Sequence, residues 1–263
     1  MASRPAEAVS PGNDANLQRL RLYNFLMAIL HTLQALAILA LSNDFSLPVT
    51  TSFLEGPPGS DAFSGPSVAF DVPLGPAVAA FLAISAIDHA LLAGPAFGWY
   101  GRNLRRGINY ARWYEYALSA SLMIVLIAMV AGVTDAGALM ALFAVNATML
   151  FFGLLMEQHN GSGERTSWIA YVFGCLAGVV PWLVIAYQVA GAERGAGNVP
   201  TFVYGILVSL FVLFNSFAVN MLLQYRRAGP WRNYLFGESV YQLLSLVAKS
   251  ALAWQVFANT LAG

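Results

Sequence analysis

Seven stretches of this chain are apolar over lengths that only a lipid solvent rewards: Leu22–Leu41, Pro73–Phe97, Trp113–Val133, Ala136–Met156, Trp168–Ala190, Phe202–Leu223 and Leu235–Leu261. A helix needs about 20 mostly apolar residues to cross the hydrocarbon core. Inside lipid every backbone N–H and C=O must be satisfied within its own segment, so runs of this length are read as helices. Only Thr134 and Asp135 separate the third run from the fourth. A single run of their joint length is too long to cross once, so length places that boundary. The predicted fold is an all-α, seven-transmembrane-helix bundle over residues 21–263.

Composition agrees with a membrane class. The chain is 58% hydrophobic and 10% charged, against roughly a quarter charged in a soluble domain. Formal net charge is zero, which gives nucleic acid no support as a partner. The single cysteine, Cys175, lies in an apolar run and reads as a small buried hydrophobe. Residues 1–20 lack the apolar core and cleavage site of a secretory signal and read as a flexible cytoplasmic tail.

Arginines orient the bundle. Eleven of the 12 fall in the tail and in the connections on the N-terminal side, and Arg194 alone falls on the other. The expected topology is N-terminus inside and C-terminus outside, in a multi-pass protein of the cell membrane. Trp99, Tyr100, Trp113, Trp168, Trp231 and Tyr234 fall at the predicted inner ends, as an interfacial belt requires. The long connection Ser42–Val72 carries Gly56-Pro57-Pro58-Gly59 and the alternating run Ser67-Val68-Ala69-Phe70. It reads as an outer β-hairpin. A loop that size packs on something, either a partner subunit or the bundle itself.

Against 12 arginines stands one lysine, Lys249, about 14 residues into the last run, or roughly 21 Å along a helix axis at 1.5 Å per residue. An unpaired ammonium at that depth costs ~2.5–3.5 kcal/mol or more, and a charge there is functional by default. A lysine that only locks two helices through a carboxylate is the alternative. Arginine, however, is the better structural ion-pair former, and only lysine condenses with an aldehyde to a Schiff base.

A buried protonated Schiff base needs an anion, and Glu115 on the third helix is the leading candidate. The competing role is an interfacial carboxylate paired with Arg112 at i, i+3. For Glu115 to lie at the depth of Lys249, the third helix is expected to begin within Asn103–Gly107. His31 and His89 are also at depth, with Gln34 three residues after the first and Ser85 four before the second. Each alone is more often a satisfied core histidine. Two beside a buried charge pair point to a shared polar cavity holding water. Asp88 projects about 100° away from His89 around the helix. A second anion and a packing contact both fit it. Trp182, Phe211, Phe214, Phe217 and Trp254 are ordinary core residues unless a polyene lies among them, when they become its walls.

Several of these stretches resemble the heliorhodopsins. They are Ser245-Leu-Val-Ala-Lys249-Ser-Ala-Leu-Ala-Trp254-Gln255, Glu115-Tyr-Ala-Leu-Ser119 with the residues after it, His31-Thr-Leu-Gln34, Leu41 to Thr50, and Phe214-Asn215-Ser216-Phe217-Ala218. The similarity runs from about residue 20 to the end of the chain. It implies all-trans retinal on Lys249 in the dark, Glu115 as counterion, Ser245 beside the Schiff base, and His31 and His89 in the polar cavity. It also implies an inside N-terminus and a homodimer with the first outer loop at its interface. Ser85, Ser119, Asn146, Phe214 and Trp254 complete the candidate retinal site.

Two classes of function follow. One is a photoreceptor with a slow photocycle and an unknown cytoplasmic signalling partner. The other is a light-driven ion transporter. In pumping rhodopsins an acceptor and a donor carboxylate both sit on helix three, and here Leu126 stands at the donor spacing, three turns after Glu115. An enzyme using the lysine for aldehyde chemistry is disfavoured by the lack of metal-ligand or phosphate-binding spacing.

Overall fold

The computed structural model describes residues 11–160, 166–196 and 199–262. Seven long helices form the bundle: α1 Pro11–Leu41, α2 Leu74–Ala93, α4 Tyr110–Val130, α5 Ala136–Asn160, α6 Ile169–Ala196, α7 Thr201–Tyr225 and α8 Tyr234–Val256. A short helix, α3 Phe97–Leu104, precedes α4. All but α8 of the long helices are apolar enough throughout to cross a membrane by length and composition. In α8 the buried Glu238, Gln242 and Lys249 interrupt the apolar run. The helices follow one another around the bundle, and α1 closes against α8.

α4 is the most buried span and α6 among the least. In lipid the outward face needs no polar residues, so large exposed hydrophobes such as Leu176, Leu183 and Val208 mark the lipid side. Cys175 on α6 is exposed, not buried as its apolar surroundings led one to expect.

The strands β1 Ser46–Thr51 and β2 Ser67–Pro73 pair antiparallel between α1 and α2, with a bulge at Val49/Thr50. Val49 enters the main core beside Ile38 and Leu74. Thr50 N donates to Thr134 O at 2.8 Å, and Asn43 N donates to Leu261 O at 3.2 Å. The hairpin and the residues leading into it thereby tie the α4–α5 turn and the segment that follows α8 to one end of the bundle. At that turn Asp135 Oδ1 accepts from Ala138 N at 2.7 Å, capping α5.

The opposite end departs from expectation in two ways. Residues 11–20, assigned to a flexible tail, form the first turns of α1, and Leu17 and Leu20 pack on Tyr100 and Leu104 of α3. Residues 1–10 of that tail lie outside the described residues, as does Arg165. The third span does not start within Asn103–Gly107. Gly107 has φ 73°, which ends the α3 segment, and Asn109 Oδ1 accepts from Arg112 N at 3.1 Å, which starts α4. Because α3 and the start of α1 cover this end, Asn109 and Arg112 are buried only one turn into the helix.

Candidate functional site

Lys249 and Glu115 meet although one lies deep in its helix and the other on the second turn. Helical side chains lean towards the N-terminus of their helix. The lysine therefore reaches back along α8, where its Nζ donates to Ser245 Oγ, one turn earlier, at 2.8 Å. From there it donates to Glu115 Oε1 at 3.0 Å and Oε2 at 3.3 Å. Ser85 Oγ, from α2, donates to Glu115 Oε1 at 2.6 Å. The Tyr116 ring lies 4.9 Å from the same Nζ. Both ionic side chains are buried, so water does not screen the pair.

The histidines sit against each other. Their ring centroids are 5.7 Å apart and their planes differ by 3°. The helical neighbours expected to serve them are engaged elsewhere: Gln34 accepts from Trp254 Nε1, and Ser85 serves Glu115. His89 Nδ1 instead meets Asn24 Oδ1 at 2.7 Å, and Gln242 Nε2 donates to that same oxygen at 3.1 Å. Both ring nitrogens of His31 and the hydroxyl of Ser119 are buried without a hydrogen-bond partner among the described residues. Such atoms in a native interior are water-binding positions. Asp88 is half-buried and lines a small cavity beside Glu115, which brings it to the polar interior.

A second ionic cluster was not legible as such. Arg112 bridges Glu157 on α5 and Glu238 on α8, and its guanidinium lies 3.8 Å from the centroid of the Tyr241 ring. Asn109 Nδ2 donates to Glu238, Trp113 Nε1 donates to Glu157, and Tyr234 adds a hydrogen bond to Glu157. Charges inside apolar runs were the available signal. Glu157 and Glu238 lie close to helix ends in the chain, and residue order does not tell which helix ends are covered.

On the other side of Lys249 a cavity of about 280 Å³ crosses from Ser245 and Lys249 on α8 to Gly174, Gly178 and Trp182 on α6. Trp182 meets Phe211 and Phe214 edge-on, with centroids 5.3 and 5.6 Å away. Phe217 and Asn146 also line the cavity, and Asn146 Nδ2 donates to Ser121 Oγ at 3.1 Å. Trp254, proposed as a further wall, does not line it. It is exposed and packs on Phe257.

A long apolar slot lined by aromatics, with one amine that faces only acceptors, fits a polyene aldehyde. No curated protein matches the chain in sequence. In structure it is similar to one described as the red light-activated channelrhodopsin Chrimson, at 15% identity and a TM-score of 0.56, covering 97% of this chain and 82% of that one. That likeness is one of fold. In sequence, residues 20–261 match the heliorhodopsin family, and with nearly the whole chain so covered, this protein belongs to the heliorhodopsins, retinal-binding rhodopsins of the membrane.

Proposed function

We propose that this protein is a light-sensing photoreceptor of the cell membrane, with retinal, all-trans in the dark, held on Lys249. Bound retinal supplies a polyene that absorbs visible light and isomerises, joined to the lysine nitrogen as a protonated Schiff base with loss of water. Glu115 balances the positive nitrogen, while Ser245 and Ser85 hold nitrogen and carboxylate in register. The observation that carries this reading is the meeting, at one nitrogen, of the only lysine in the chain, a buried carboxylate and the aromatic slot.

Sensing is favoured over transport by how polarity is distributed along the bundle. Between the Lys249–Glu115 pair and the hairpin end the interior is largely Leu126, Ile127, Leu252, Ala253 and Val256, and past Glu115 on α4 and α5 the buried polar side chains among the described residues are the uncharged Ser119, Ser121 and Asn146. Every buried histidine and carboxylate lies level with the pair or towards the α3 end. A proton leaving the nitrogen therefore has buried carboxylates and histidines to receive it level with the pair or on the α3 side only, which favours its return by the way it left. The resulting rearrangement at the α3 end is what a cytoplasmic partner would sense, if the N-terminus is inside as the arginines imply.

A homodimer through the hairpin fits the exposed Val68 and Phe70 of β2 and the exposed Phe53 and Phe63 beside them. The test of the central reading is the spectrum of purified protein after addition of all-trans retinal. A visible band is expected in the parent and none in Lys249→Ala; equal bands in both would remove Lys249 as the attachment point.

A further inference from the structure

Between the Lys249–Glu115 pair and the Arg112 cluster lies a cavity of about 20 Å³, which exceeds the roughly 10–15 Å³ that one water needs. Three of the residues lining it carry side-chain atoms that are buried and have no hydrogen-bond partner among the described residues: Arg112 Nε, Tyr241 Oη and Gln242 Oε1. Each of these residues is more than nine-tenths buried. They supply a fixed donor, a hydroxyl and a fixed acceptor, which together suit water. Buried polar atoms left unpaired by protein call for such an explanation.

The carboxylates around this cavity differ in how they are held. Glu115 accepts from Lys249 and Ser85. Glu238 accepts from Arg112 and Asn109. Asp88 lines the same cavity and has no hydrogen bond or ion pair among the described residues. His89, Tyr100, Tyr116, Tyr241 and Arg112 are the other titratable groups lining it, and His89 is already engaged by Asn24. A carboxylate without donors loses no hydrogen bond on protonation, whereas Glu238 would give up its share of a guanidinium.

We propose that this cavity is a water site joining Glu115 to Asp88, and that Asp88 takes up the proton which the Lys249 nitrogen releases in light. It rests on the retinal linkage proposed above. In the step an N–H bond at the Schiff base breaks, the proton passes by way of Glu115, which accepts from Lys249 and lines the cavity, to the water, and an O–H bond forms on Asp88 while Glu115 ends as the carboxylate it began. The nitrogen becomes neutral and Asp88 a neutral acid, so charge balances without any other reactant. The reverse transfer restores the dark state, and no proton crosses the bundle.

Infrared difference spectroscopy of the membrane-embedded holoprotein, recorded with its visible absorbance, tests this. In the parent a carboxylic-acid C=O band should rise as the visible band is lost and decay as it returns. In Asp88→Asn the dark visible band should still form, because Asp88 touches neither Lys249 nor the retinal slot. The acid band should vanish, and loss of the visible band should slow by about tenfold or more, within the range that a positioned proton acceptor contributes. Asp88→Glu should keep an acid band at a shifted frequency, which separates proton uptake from a merely structural effect of the Asn variant. An unchanged acid band and rate in Asp88→Asn overturns the proposal, and a band lost instead in Glu238→Gln assigns uptake to the Arg112 cluster. A parent that forms no visible band in the dark overturns the retinal linkage itself, and this proposal with it.

Discussion

Arg112 and Glu115 stand three residues apart on α4, yet neither pairs with the other. Arg112 turns to Glu157 and Glu238, while Glu115 holds Lys249 at 3.0 Å. One turn of helix thus feeds two buried ionic clusters, and the water-sized cavity lies between them. The separation matters because an arginine beside the counterion would compete with the lysine nitrogen for its charge.

Glu115→Gln removes the anion that favours the charged nitrogen. The visible band is expected to shift to the red where the nitrogen stays protonated, and to titrate away at lower pH than in the parent. Spectral titration of both proteins checks this; coincident titration curves would make Asp88 the better counterion candidate.

Net proton movement across the membrane should be absent or slight. Flash excitation of proteoliposomes, with a pH dye on each face and visible absorbance followed together, is expected to show loss of the visible band without dye response. A sustained pH change of one sign, abolished by an uncoupler, would establish transport instead.

Arg112→Gln leaves Glu157 and Glu238 buried with no cation, which should cost about 3–5 kcal/mol. Glu238→Gln should cost less, because it leaves one carboxylate facing one guanidinium. Thermal loss of the visible band in detergent ranks the two, and an equal or greater loss in Glu238→Gln would contradict this account of the cluster.

Gly153→Ala places a Cβ against the Trp113 ring, which lines the retinal slot and also donates to Glu157. Overpacking of this kind typically costs about 1–3 kcal/mol. A lower melting point together with a displaced absorption maximum is expected, since the ring that must yield borders the slot. An unchanged spectrum and stability would mean that Trp113 has another way to relax.

Membership of a helical membrane bundle, the number of long spans, the hairpin and the pairing of Lys249 with Glu115 were all legible in residue order. Each rests on a signal that is local, or on a charge so costly in lipid that it needs a partner. Packing decided what that signal does not contain. Gly107 and Asn109 split α3 from α4, yet the expected pair still forms, because side chains lean along their helices and Lys249 reaches back a full turn to Ser245. The first turns of α1 and the whole of α3 cover one bundle end, which buries Arg112, Glu157 and Glu238 together, although in the chain they read as residues near helix ends. Trp254 resembles a slot residue in sequence but does not line the slot, whereas Cys175, read as an ordinary buried hydrophobe, is exposed and borders it. In a membrane, apolar residues point to lipid as readily as to the core, so hydrophobicity alone does not say which way a side chain turns; only the contacts between helices do.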